Sequence, residues 1–273
     1  RNHVNYAASI GIFIPFVVFA IFRYAKNTFV RNFLVASLLL LLVGVYLSYT
    51  RAAYVALLIA AGSYVIIRLG WMKYLVPLGL ALVFGGLIFM VSDNRFMELA
   101  PNYDRTISHE DFDNLIEATY KLEDISTMER VYRWVAGAYL SVAHPGMGVG
   151  PGNFVNFYRS YTLDAFRTYV SVNEEGSGIH SYYLMTLVEQ GIPGLFFLLL
   201  LIAGSLIIGE RIYHRTADQE QKALIMSALL SLIVIDSFLI INDLLETDKV
   251  GPFFFMNLAI MVAADLRSSA SLD

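Results

Sequence analysis

Cysteine is absent from the 273-residue chain, which excludes a disulfide framework and thiolate chemistry. Charge is scarce as well: Asp, Glu, Lys and Arg make up 15% of the residues, against about 25% in a soluble domain. HExxH does not occur, and His3, His109, His144, His180 and His214 lie scattered. No metal site is expected from such spacing, and only the Asp/Glu clusters of 104–124 keep one open. A net charge of −4 argues against nucleic acid as a partner. No signal-peptide pattern opens the chain, which begins at Arg1 without Met, so it reads as a piece of a longer protein.

What the chain has instead is apolar sequence, 57% of it, gathered into long runs. A membrane span needs about 20 mostly apolar residues. Candidate runs are Val4–Phe22, Phe33–Tyr49, Ala52–Ile67, Tyr74–Val91, Tyr182–Ile208, Ala223–Ile241 and Pro252–Ala264. The expected fold is therefore an all-α integral membrane protein of about seven spans, with a long helical loop between the fourth and fifth. The expected organisation is four spans in 1–92, an extracytoplasmic loop domain in 93–180, and an interfacial helix plus three spans in 181–273. Gly191-Ile192-Pro193-Gly194 interrupts the fifth run, so a surface helix should end at Gln190 and the span should begin at Ile192. Lys and Arg in alternate connections set the orientation. Arg23, Lys26, Arg31, Arg68, Lys73, Arg211, Arg215, Lys222 and Arg267 form one set; Arg1, Arg51 and Lys249 form the other. The larger set is assigned to the cytoplasm, which places 93–180 outside.

That loop holds thirteen Asp/Glu, seven Lys/Arg and seven Tyr, a composition of a folded unit rather than a disordered one. Its acidic part, Ser108–Asp124, reads as a solvated face. Ser126-Thr127-Met128-Glu129 fits a capping box opening a helix. Met128, Val131, Tyr132, Val135, Tyr139 and Val142 then recur as one apolar face, and His144-Pro145-Gly146 ends it. Arg130, Arg133, Trp134 and Gly137 fall on another face, putting two guanidiniums one turn apart beside an indole. Such a pair can grip a phosphate, although Arg133 reads better as the partner of a carboxylate, either Glu129 or one in the acidic stretch. The run from Gly146 to Phe154 lacks the strand and the spacing of a dinucleotide fingerprint and is no P-loop; its glycines let backbone approach something closely.

His180 stands where loop meets membrane, as a structural hydrogen-bonder or as a base near neutral pH. Glu189 follows near the outer interface. Asp236 lies inside the sixth run, where an ionisable group is costly and functional by default, and Asp243 lies in the outer loop after it. Arg51, between the second and third spans, is an interface anchor or a site residue.

Four stretches in order resemble the O-antigen ligase and polymerase superfamily of membrane glycosyltransferases. They are Tyr49-Thr50-Arg51-Ala52-Ala53-Tyr54, Arg130-Val131-Tyr132-Arg133-Trp134, the run from His144 to Phe154, and His180-Ser181-Tyr182-Tyr183-Leu184 through Glu189 to Gly194. The resemblance covers roughly residues 45–195, with Thr50 and Ser181 as mild departures, and marks the chain as the C-terminal portion of such a protein. It implies a bacterial inner-membrane enzyme with its site facing the periplasm. It also implies an undecaprenyl-diphosphate-linked glycan as donor, and lipid A-core, a glycan repeat unit or a protein as acceptor. Arg51 and Arg130 match the arginines that engage the donor diphosphate, and His180 matches the histidine that activates the acceptor. Trp134 and Glu189, within the matched stretches, would support them, and Arg133, which has no fixed counterpart in the family, is a further supporting candidate. No cofactor and no metal are implied, and direct displacement at the anomeric carbon would invert it. Polymerase or protein-glycosylating variants remain open, as does a lipid-linked glycan transporter, against which the shortage of deep charges counts.

Overall fold

The computed structural model describes residues 3–100, 124–168, 171–173 and 176–270. The acidic stretch from Ser108 lies outside the described residues up to Asp124. The regular structure among the described residues is helical: α1 (His3–Gly11), α2 (Ile14–Arg23), α3 (Thr28–Leu47), α4 (Arg51–Leu69), α5 (Met72–Val91), α6 (Ile125–Ala143), α7 (Tyr182–Arg215), α8 (Gln219–Leu239) and α9 (Gly251–Ala270), with short helical turns between α5 and α7.

Six segments among the described residues are long and apolar enough to cross a membrane: His3–Arg23, Thr28–Leu47, Arg51–Leu69, Met72–Leu99, Tyr182–Arg215 and Gln219–Leu239. The expected seventh does not qualify. Helix α9 reaches 20 residues, but Asn257 interrupts its apolar face and Asp265 and Arg267 charge its last turns. The apolar run within it is shorter than a span requires.

The chain divides into two compact units. The first comprises Arg1–Pro77, Leu201–Leu239 and Leu244–Asp273. Helix α8 is its centre and packs against α1, α2, α4 and α9. Its apolar window is 78% buried, against 6% for α3, so α8 is a core helix and α3 turns most of its surface outward. Between α8 and α9, Asn257 donates to the Ser231 hydroxyl at 2.9 Å with both groups buried, a polar contact that fixes their register where apolar packing alone would not. Phe13 and Phe253 meet edge to face at 5.0 Å. At one end of this unit Gly70 takes the left-handed conformation that closes α4 (φ 71°). The α4–α5 turn is then tied to the end of α7: Met72 N–H donates to Glu210 at 3.0 Å, and His214 Nε2 bonds the Ile67 carbonyl at 2.8 Å.

The second unit comprises Leu78–Leu200 and Ile240–Asp243. Its core gathers Tyr132, Ala136 and Leu140 of α6 with Phe154, Tyr158, Phe166, Ile179, Met185 and Val188. Phe154 stacks on Tyr158 at 4.8 Å and Phe96 on Phe166 at 6.2 Å. The apolar and aromatic content of the loop therefore builds a genuine core. Helix α7 is broken at Gly191 (φ 71°, ψ −168°), where the sequence interrupts its apolar run. Pro193 falls in the first turn after the break, where its missing N–H is not needed.

Candidate functional site

The chemistry-bearing residues of the second unit are positioned by α6. Its cap is not the expected Ser126. Asp124 occupies the N-cap, its Oδ2 accepting from Thr127 N–H at 2.9 Å and from the Thr127 hydroxyl at 2.5 Å; a carboxylate there serves as well as a hydroxyl. Glu129 is thereby released from the capping box and turns inward, 7% exposed. It accepts from Arg133 Nη2 at 3.3 Å, from the Ser171 hydroxyl at 2.6 Å and from the Thr168 hydroxyl. Arg133 Nη1 donates to the Gly178 carbonyl at 3.2 Å. A buried ion pair is tolerated when further hydrogen bonds offset its desolvation; these hydroxyls and this carbonyl supply several, and Arg133 Nε is the atom of the pair with no hydrogen-bond partner among the described residues.

The buried stripe of α6 thus runs through Met128, Glu129, Tyr132, Arg133, Ala136, Gly137, Leu140 and Ser141. Tyr139 and Val142, expected on the apolar face, are exposed. Gly137 supplies the reason for the rotation. A Cβ at that position would overlap the Ile179 side chain, so the helix backbone itself lies against 176–180. Arg133 is a buried structural group. Arg130 stands apart from that stripe, half-buried, with Nη1 donating to the Ser126 hydroxyl at 3.0 Å.

His180 has a left-handed backbone, φ 58°. Such a conformation costs of the order of 1 kcal/mol or more and persists only where its surroundings over-determine it, although His tolerates it better than most residues. Two contacts hold it. The His180 N–H donates to Asp243 Oδ2 at 2.8 Å, and the Trp134 indole N–H donates to the His180 carbonyl at 3.3 Å. Asp243 also crowds Gly178, where a Cβ would lie 2.6 Å from its carboxylate. The sequence marks Asp243 only as an outer-loop acid. It is 63 residues from its partner, and no local pattern announces the pairing. Burial, then the Arg130 and Arg133 guanidiniums, lower the His180 pKa to about 4. The imidazole is therefore neutral at pH 7 and able to accept a proton beside two fixed cations.

The glycine-rich loop closes on the end of the first half of α7. Gly152 N–H donates to Glu189 Oε2 at 2.8 Å and Phe154 N–H to Oε1 at 3.1 Å. Backbone pairing runs alongside, Val149 N–H to the Val188 carbonyl at 3.0 Å, Gly150 N–H to that of Glu189 at 2.9 Å, and Ile192 N–H to that of Pro145 at 2.9 Å. A Cβ at Gly148 would lie 2.5 Å from the Val188 carbonyl oxygen and the Glu189 carbonyl carbon. The close approach expected of these glycines is thus to the protein's own backbone. Glu189, 4% exposed, is a clamp on the loop.

Arg51 belongs to the first unit. It is the first residue of α4, half-buried, following Thr50, whose side chain makes no cap bond to the helix, and Tyr49, whose backbone is left-handed (φ 51°). Asp236 is buried in α8.

A family model for O-antigen ligase, Wzy_C, matches residues 36–199. No curated protein and no solved structure matches the chain.

Removing the Glu189 carboxylate should leave the Gly152 and Phe154 N–H groups without acceptors, at about 1–3 kcal/mol each. Glu189→Ala is therefore expected to lower the thermal melting temperature of detergent-solubilised protein more than Glu189→Gln, which keeps one accepting oxygen. Equal melting of both variants and the parent would remove the clamp. A second expectation concerns His180. NMR of histidine-labelled protein should place its midpoint near 4, and Arg130→Gln should raise it by removing a like charge. The unfolded chain, with an ordinary histidine near 6.5, binds more protons between these values. Stability contributed by this residue is thus complete above that window and falls as pH drops through it.

Proposed function

The chain belongs to the O-antigen ligase family, and we propose that it transfers a glycan from an undecaprenyl-diphosphate donor to an acceptor hydroxyl at the outer face of the bacterial inner membrane. A multi-pass, glycan-handling membrane enzyme is the premise; the donor, acceptor class and stereochemistry are this reading's own. The observation that carries it is His180, neutral beside Arg130 and held in a left-handed backbone by Asp243 and Trp134.

In the proposed step the acceptor O–H gives its proton to the His180 imidazole while its oxygen forms a bond to the anomeric carbon. The bond from that carbon to the diphosphate oxygen breaks, its electron pair leaves with the diphosphate, and the configuration inverts. A base positioned on the nucleophile contributes about 10²–10⁴ in rate. The leaving group gathers negative charge, which fixed guanidiniums stabilise without reorganising. Arg130 is assigned to that anion by its place beside the imidazole. Arg51 is assigned to it by its family motif and by opening a helix, where backbone N–H groups and the dipole also favour an anion. A bound diphosphate would offset the cations beside His180 and move its pKa back toward the working pH, coupling base strength to donor binding. Arg133, Trp134 and Glu189 act through the loop they hold. Lipid A-core, a second repeat unit and a protein hydroxyl are all chemically competent acceptors. A transporter reading would instead need charges along a through-path.

Purified protein given lipid-linked glycan and each acceptor in turn should form product with one of them, and should do so in EDTA. His180→Ala should lower turnover by roughly 10²–10⁴ with donor binding retained. Arg51→Lys and Arg130→Lys should weaken both, since an ammonium cannot reproduce the planar fork. Near-normal turnover of His180→Ala would remove it as base, and loss in EDTA restored by Mg²⁺ would overturn the metal-free mechanism. The orientation makes a separate forecast: in cells permeable only at the outer membrane, an impermeant thiol reagent should label Val172→Cys and spare Ala217→Cys, both exposed positions. The reverse pattern would invert the topology.

A further inference from the structure

Outside the residues assigned to transfer, the first unit carries a cavity of about 530 Å³ lined by Gly70, Lys73, Glu210, Arg211, His214 and Arg215. It lies where the α4–α5 turn is tied to the end of α7 by the Met72–Glu210 and His214–Ile67 hydrogen bonds. Its charge is lopsided. Glu210, the only acid on its wall, is 4% exposed and already accepts the Met72 N–H. Arg215 is paired with Asp265. Lys73 leans over the Tyr74 ring, 4.9 Å from its centre. Arg211 has no hydrogen bond or carboxylate partner among the described residues. With Arg215 matched by Asp265, Lys73 and Arg211 stand against the one carboxylate of Glu210, so the concave space keeps a net positive charge.

Basic residues at a helix end can serve simply to offset the dipole or to anchor orientation. Two features ask for more. These side chains line an open cavity instead of spreading over a convex end. And the turn beneath it presents Trp71 and Tyr74, 53% and 64% exposed, the residue types that settle at headgroup depth. A soluble anion has no use for that aromatic rim; a phospholipid does. We infer that the cavity binds the phosphate headgroup of an anionic phospholipid, held by Lys73 and Arg211, with its glycerol and upper acyl region against Trp71 and Tyr74. This end also carries the greater share of the chain's basic connections, Arg68, Lys73, Arg211, Arg215 and Lys222 among them. The site is independent of the transfer reading: lipid would bind there whether the enzyme ligates or polymerises.

Native mass spectrometry of the protein in neutral detergent tests this with phosphatidylglycerol, phosphatidylcholine and inorganic phosphate as probes. Phosphatidylglycerol should remain bound where phosphatidylcholine does not, and millimolar phosphate should fail to displace it. Near a membrane surface each basic residue contributes about a fivefold change in lipid affinity. Lys73→Gln and Arg211→Gln should therefore each weaken retention about fivefold, and together about twenty-five-fold. Both residues are exposed, so these variants should fold; melting curves superimposed on the parent's confirm it. Lys26→Gln and Arg31→Gln, basic and exposed but outside the cavity, should change retention little. Parent-like retention by the double variant overturns the site. An equal loss from Lys26→Gln with Arg31→Gln overturns it in favour of diffuse attraction, and displacement by inorganic phosphate overturns the lipid assignment in favour of a soluble phosphate.

Discussion

A carboxylate that accepts two backbone N–H groups organises the second unit. Glu189 holds Gly152 and Phe154, and through them the glycine-rich loop whose Phe154 enters the core beside Tyr158. Without that clamp the loop would have to leave buried donors unmet or stay in solvent, and Phe154 would lose its place. The glycines follow from the clamp. Gly148 gives the loop room against Val188 and Glu189, and Gly191 breaks α7 so that its next N–H can reach the Pro145 carbonyl. Helix break, loop and core packing are therefore one arrangement.

Two further polar contacts depend on the same compact unit. The Glu129–Arg133 pair is tolerated because hydroxyls and a carbonyl from 168–178 surround it. The segment it fastens leads directly into His180. The left-handed backbone there is held at its N–H by Asp243 and at its carbonyl by Trp134. Arg133 thus has two effects on the imidazole, a mechanical one through Gly178 and an electrostatic one by lowering its pKa.

The apolar runs made most of the helices legible, because span length and hydropathy are local properties. Helix α6 was legible too, as was the break at Gly191. The errors arose where tertiary contact overrides local pattern. A capping-box spacing pointed to Ser126, but Asp124 two residues earlier was available, and Glu129 was drawn to Arg133 and the hydroxyls. Spacing gave α6 an apolar stripe that omitted Arg133 and Gly137, since it cannot show that a glycine will admit Ile179. Helix α9 looked like a span by its aromatic start, yet its polar groups answer to neighbours such as Ser231. Asp243 could not have been paired with His180 from spacing at all. For Arg51, Arg130 and His180 the residue types and motifs were visible, and their chemistry remains the proposal argued above.

The Gly152 and Phe154 amides of the glycine-rich loop are already satisfied by a side chain of the same unit, and those of Val149 and Gly150 by its backbone, so the shape of the loop there does not wait for a ligand. A loop of this kind that closed around an incoming anion would have to be ordered at each turnover, and the free energy of ordering would be taken from binding. Here that conformational entropy is lost once, when the chain folds. The affinity of an incoming substrate is then not diminished by organising this part of the protein.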